Sequence, residues 1–207
     1  MKNNWIPITL IITMCFTISC KAQNIVPIYN GPEQEPPLPH YYKDVDNNLD
    51  PLVGTWKWQE GNNSLTVEFK KVERAPFGGE SVKDILIGGY TYIKNGVECT
   101  NSLPMPNLPM DKLTNYPIWG GVIGTPIKGS PPCPECGTNP RYVKVQVREP
   151  ENPLLEGKFI MGHFIQNGVE KMGLLFLNTA ISMPTADYTG PEEMCIPEFS
   201  TLTLVKQ

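Results

Sequence analysis

Only two histidines, His40 and His163, occur among the 207 residues, and charged side chains make up just 18% of the chain. With 17 Lys+Arg against 21 Asp+Glu and no basic cluster, the formal charge of -4 offers phosphate nothing to bind, so nucleic acid is excluded as a partner. Neither a Gly-x-Ser-x-Gly elbow nor a His-Glu-x-x-His pair is present, and no catalytic residue is assigned. Beyond the N-terminus no run approaches the roughly 20 apolar residues of a membrane-spanning helix. The length suits one globular domain with appendages. A non-enzymatic protein is the expectation, with no cofactor.

The first 22 residues have the three parts of an export signal: Lys2 in a short positive head, an apolar run from Trp5 to Ile18, then small and polar residues. Two cleavage chemistries compete at its end. Ser19 before Cys20 resembles the lipoprotein pattern, in which Cys20 is lipidated and becomes the first residue; a cut after Ala22 would discard Cys20. Either product leaves the cytoplasm, for the periplasm or outer membrane as a lipoprotein or for the medium as a secreted protein. The membrane is then a partner only through an N-terminal lipid.

Residues 23–51 are rich in Pro, Asn and acids and read as a tether or extended strap, because such a segment buries too little apolar surface to offset its ordering entropy. A single helical turn is expected over His40 to Val45. The body, 52–207, then turns to an apolar period of two. Leu65, Val67 and Phe69 alternate with Thr66, Glu68 and Lys70, and Val143, Val145 and Val147 alternate with Lys144, Gln146 and Arg148. Asn95-Gly96 and Asn167-Gly168 supply the two positive φ values of type I′ hairpins, and Gly61-Asn62-Asn63 makes a third turn.

About eight strands follow, near 53–59, 64–72, 83–94, 97–101, 141–149, 157–166, 169–178 and 198–205. The fold class is therefore all-β, an antiparallel meander closing into a barrel, with a β-sandwich as the competitor. Residues 102–140 interrupt this rhythm with nine prolines and Gly120-Gly121, which a central strand is not expected to tolerate. The segment reads as a long Pro/Gly-rich insertion and the first place to seek specific function.

Leu52-Val53-Gly54-Thr55-Trp56-Lys57-Trp58 resembles the opening strand of lipocalin-like domains, whose Gly-x-Trp motif lays a Trp across the closed end of an eight-stranded barrel. The resemblance implies structural roles for Gly54 and Trp56, and the nearest match to that family's closing basic residue is Lys206. Ala186-Asp187-Tyr188 stands too near the last strand to match its Thr-Asp-Tyr loop. The whole layout also looks like an uncharacterised family of exported Gram-negative bacterial proteins, a similarity that implies no activity.

Cys133-Pro134-Glu135-Cys136-Gly137 is similar to a zinc knuckle, but two thiolates are half a structural site and the other candidate ligands are scattered, so no metal is assigned. Cys99, Cys133, Cys136 and Cys195 are disulfide candidates with three possible pairings; a redox role for the Cys133-Cys136 pair is the alternative. Aromatic strand residues offer the remaining clue. Trp58, Tyr90, Tyr92, Phe164 and His163 are the candidates to line a cavity for a small apolar ligand, against the simpler reading that they fill the core. An envelope protein is the other candidate partner. The expected function is a binding or structural module of the envelope, with a hydrophobe carrier and a thiol-disulfide protein as alternatives.

Overall fold

A computed structural model describes residues 24–29, 38–127, 130–131, 133, 140–152, 154–181, 193–198 and 200–207, with the backbone alone for 179–181. The leader with Cys20, and Cys136, lie outside the described residues. The described residues hold eleven strands: β1 (Asn24–Pro27), β2 (His40–Lys43), β3 (Gly54–Glu60), β4 (Asn63–Pro76), β5 (Val82–Lys94), β6 (Val97–Asn101), β7 (Ile118–Gly124), β8 (Tyr142–Arg148), β9 (Leu155–Gln166), β10 (Val169–Ile181) and β11 (Thr201–Lys206). Eight of them, β3, β4, β5, β7, β8, β9, β10 and β11, form one antiparallel meander that closes on itself, an all-β barrel.

Two thin seams complete the ring. β5 meets β7 through Leu86↔Gly120, Ile87↔Trp119 and Gly88↔Ile118. β11 meets β3 through Val205↔Lys57 and Lys206↔Trp56. Closure removes the free edges that an open sheet of this size would present. The alternating side chains then sort as their period demands. Leu65, Val67, Phe69, Val143, Val145 and Val147 are all buried in one central cluster that runs from Leu49 to Leu204.

Turn chemistry is as expected at both Asn-Gly sites: φ is 54° and 81° at Asn95 and Gly96, and 53° and 75° at Asn167 and Gly168. The strand inventory differs from expectation in one exchange. β6 forms but pairs with β5 alone, outside the ring, whereas β7, inside the Pro-rich 102–140 segment, is a full stave. Gly120-Gly121 does not forbid β7. It supplies a bulge, with φ of 125° and 157° and a register shift before Val122, that lets the stave turn between β5 and β8. The prolines lie before and after it. Residues 102–117 pack Met105, Leu108, Leu113 and Tyr116 on the outer face of β4 and β5, against Val72, Ala75, Ile85 and Ile87.

The strap is also corrected in part. His40–Lys43 is a strand, not a helical turn, and lies parallel to both β1 and β5. Its anchor is a buried carboxylate. Asp84, 1% exposed, accepts the Tyr41 hydroxyl at 2.8 Å and the backbone amides of Asp44 and Arg74 at 3.0 Å each. The Arg74 amide turns to Asp84 because β4 bulges between Val72 and Ala75, and the Arg74 guanidinium covers the Tyr41 ring at 4.6 Å. Burial first, and then the Asp84 carboxylate, push the Tyr41 phenol up to about 12. Asp44 in turn accepts the amides of Asn48 and Leu49 and lies 3.5 Å from Lys71 Nζ.

Removing Asp84 strands three donors in a dry site. Asp84→Ala is expected to cost about 3 kcal/mol of unfolding free energy, read from urea denaturation followed by tryptophan fluorescence; a loss within 0.5 kcal/mol, roughly the effect of a surface change, would refute this anchoring role.

Candidate functional site

Because the meander alternates, its connections gather at two ends. The 3-10 turn Asp50–Leu52, the Asn167-Gly168 hairpin and Lys206 mark one end. The Gly61-Asn62 hairpin, the 149–154 turn and the segments around Cys99 and Cys195 mark the other.

Trp56 seals the first end. Its indole is wholly buried and donates from Nε1 to the Leu52 carbonyl at 2.8 Å, so its polar edge is satisfied by the 3-10 turn beneath it. Lys206 Nζ stands 5.5 Å above the ring, and His163 meets it edge-on at 6.0 Å. Glu170 ties the two together, 2.6 Å from Lys206 and 3.3 Å from His163 Nε2. The Lys206 hydrogen bond is the main influence holding the Glu170 carboxyl below its ordinary range. Gly54 makes this possible: its φ is 120°, and a Cβ there would meet Lys206 Cε at 3.4 Å. A cleft of about 340 Å³ opens beside this cover, with Asp46, Asn48 and Arg141 on its rim and Leu52, Met161 and His163 below.

The other end is closed by chemistry of a different kind. Cys99 and Cys195 form a disulfide with Cα atoms 6.1 Å apart, joining β6 to the segment before β11. Next to it lies Glu149, 8% exposed. Burial is the largest cause that holds its carboxyl above the ordinary value, with neighbouring Glu151 adding to the rise and the Thr100 hydroxyl, the Cys195 amide and the Tyr90 hydroxyl opposing it. Tyr90 responds in kind: burial, then the Glu149 charge, raise its phenol well above 10.0. Glu149 Oε2 and Thr100 Oγ1 are nonetheless enclosed with no partner in hydrogen-bonding geometry. Clefts of about 440 Å³ and 260 Å³ flank Glu149 on either side.

The proposed ligand-lining residues do not converge. Tyr90 and Tyr92 are buried inside the barrel, with Trp58 packed half-buried against the same cluster, and none of the three lines any of these clefts. His163 faces inward but belongs to the Trp56 end. Phe164, paired with Lys171 and next to inward-facing His163, is on the outer face of β9, because adjacent residues of a strand point to opposite sides. Cys133 is disulfide-bonded and packs outside the barrel against Tyr142, Ile160 and Leu175, far along the chain from the Cys99–Cys195 bridge. Glu149 and Thr100 escaped the sequence reading, since a lone acid after a strand looks like surface charge. Among the described residues no group of three His, Cys, Asp or Glu could hold a metal ion, and no helix is long and apolar enough to cross a membrane.

A closed eight-stranded antiparallel meander with a Gly-x-Trp strand across one end defines the class of this protein: an all-β barrel, consistent with a lipocalin-like one. Within that class the chain belongs to the family described as "Family of unknown function (DUF6705)", whose model matches residues 1–207. No curated protein and no solved structure matches the chain.

Glu149 carries a pH signature. The folded protein holds this proton more tightly than the unfolded chain does, so the stabilisation is full below the unfolded value near 4.5 and is lost as pH rises through the higher folded value. Thermal unfolding of Glu149→Gln across pH 4 to 9 is expected to show a flatter decline toward alkaline pH than the unsubstituted protein; identical slopes would contradict the assignment.

Proposed function

We propose that this protein is a non-catalytic module of the bacterial cell envelope that works through the ends and outer surface of its barrel, and not by carrying a hydrophobe inside it. The supporting observation is the interior itself. Trp56, Leu65, Val67, Phe69, Tyr90, Phe159 and Phe176 are each at most 1% exposed and pack as one cluster, with Tyr90 and Phe176 both edge-on to Phe159. Interiors at native density leave voids no larger than a few atoms, and a ligand would have to displace several aromatic rings.

Export through the N-terminal leader, with lipid on Cys20 or cleavage after Ala22, fits the disulfide chemistry of the body, since such bridges persist outside the reducing cytoplasm. The thiol-exchange alternative is weaker. Cys133 is already bonded and sits among apolar side chains, whereas reactive cysteines occupy exposed, electropositive surroundings.

Native mass spectrometry of the protein purified from its own host tests the reading. The expected species is the processed chain, with diacylglycerol or with Gln23 at its start, carrying oxidised cysteines and no further small molecule. A stoichiometric hydrophobe that co-purifies, or that binds on addition and quenches Trp56 or Trp58 fluorescence, would overturn it in favour of a carrier.

A further inference from the structure

The sequence holds no basic cluster, but strand register assembles one on the outside of the barrel. With Val143, Val145 and Val147 buried in the core, the alternate residues Lys144, Gln146 and Arg148 face outward from β8. Lys158 of β9 lies opposite Gln146, while Trp119 and Val122 of β7 lie opposite Gln146 and Lys144 from the other side. Lys144 and Lys158 are therefore diagonal neighbours on one face, a spacing that long side chains bridge.

Neither of these lysines is neutralised. Lys71, Arg148 and Lys206 each meet a carboxylate, whereas among the described residues no acid pairs with Lys144 or Lys158. Glu156, two positions along β9 on the same face, is held by Arg148 at 2.7 Å. Between the lysines the surface is hollow. The bulge in β7 leaves Gly120 and Gly121, which have no side chains, between Trp119 and Val122, and a niche of about 190 Å³ lies there, lined by both glycines with Val122, Lys144, Gln146 and Lys158. Its β7 flank is apolar. Val122 is 51% exposed, and half-buried Trp119 carries the Arg148 guanidinium on its ring at 4.6 Å.

We propose that this face of β7, β8 and β9 docks on an anionic phospholipid surface, with one phosphate diester seated between Lys144 and Lys158 and with Trp119 and Val122 at headgroup depth. Charge complementarity is the first argument, since two uncompensated ammonium groups side by side on a chain with more acids than bases call for an anion. The apolar flank is the second. Tryptophan settles at the boundary between headgroups and acyl chains, and lysine stems lie along apolar matter while their ammonium groups stay wet. An acidic protein segment would ask for a row of cations to match several carboxylates, whereas one niche beside apolar residues suits a single compact anion attached to lipid. The acyl chains stay in the bilayer and the barrel interior stays filled. This inference deepens the proposed function and rests on its reading that the barrel works through its outer surface.

Lysine footprinting tests it, because the comparison between surfaces is unaffected by any lipid on the N-terminus. The processed protein from its own host is mixed with vesicles of phosphatidylcholine alone or of phosphatidylcholine and phosphatidylglycerol in equal parts, treated briefly with an amine-acetylating reagent, and read lysine by lysine by mass spectrometry. On the mixed vesicles Lys144 and Lys158 should react about threefold or more slowly than on phosphatidylcholine, with the difference lost at high salt. Exposed Lys94 and Lys112, elsewhere on the surface, should react alike on both. Lys144→Gln should abolish most of the protection of Lys158, and Lys158→Gln that of Lys144. Equal reactivity of the pair on both vesicles, equal protection of Lys94 and Lys112, or single substitutions that leave the remaining lysine protected would overturn the proposal. So would protection by soluble glycerophosphoglycerol as strong as that by vesicles, which marks a free phosphate ester as the ligand, or protection by a polyglutamate peptide alone, which marks an acidic protein. A protein that holds no hydrophobe and whose paired lysines ignore phosphatidylglycerol would sink this inference and leave the proposed function standing.

Discussion

The structure depends on closure. A sheet whose inner face carries Trp56, Leu65, Val67, Phe69, Phe159 and Phe176 is stable only if every stave has a neighbour on both sides, since an open edge would expose that face together with a row of unpaired backbone groups. The two seams that achieve it are slight, three register pairs between β5 and β7 and two between β11 and β3. Each is helped by something other than its own ladder. At the first, Gly120 and Gly121 relax the backbone so that one stave can serve two neighbours; at the second, the indole of Trp56 and the stem of Lys206 add contact across the join.

The two ends resolve the same problem with opposite charge economies. At the Trp56 end acids and cations are drawn together: Glu170 lies between Lys206 and His163, and Lys71 between Asp44 and Asp50. The strap adds to this, because Asp84 gathers a hydroxyl and an amide from the strap and a second amide from β4. At the other end the covalent bridge holds the cover, and a carboxyl is left short of donors beneath it.

Much of the barrel was legible because water on one side and core on the other impose a period of two, visible in Leu65-Thr66-Val67-Glu68-Phe69 and in the valines of β8. The Asn-Gly turns were legible because few residues accept two positive φ values in succession. β7 was not, since its bulge shifts the parity midway, leaving Val122 51% exposed while its neighbour Ile123 is 7% exposed, and no single alternation fits Ile118 to Gly124. β6 matched the pattern equally well yet found only one partner, which is a tertiary outcome that local sequence does not encode. β2 hid for a third reason, its place being set by hydrogen bonds to a distant Asp84. The site was harder still. His163 and Phe164 are consecutive in a strand and so could never both have faced inward, and the burial of Glu149 arises from chain segments far away in sequence.

The order in which the ring is completed has a consequence for how the chain is made. The stave that joins β3 to β10 is the last to be synthesised, and Lys206 is near its tip. While the earlier staves emerge from the ribosome, the indole laid down some 150 residues before has no lid; 150 is the sequence separation of Trp56 and Lys206. Until β11 arrives, the nascent sheet is an incomplete ring with sticky flanks, and a holding chaperone would have most to protect during that interval.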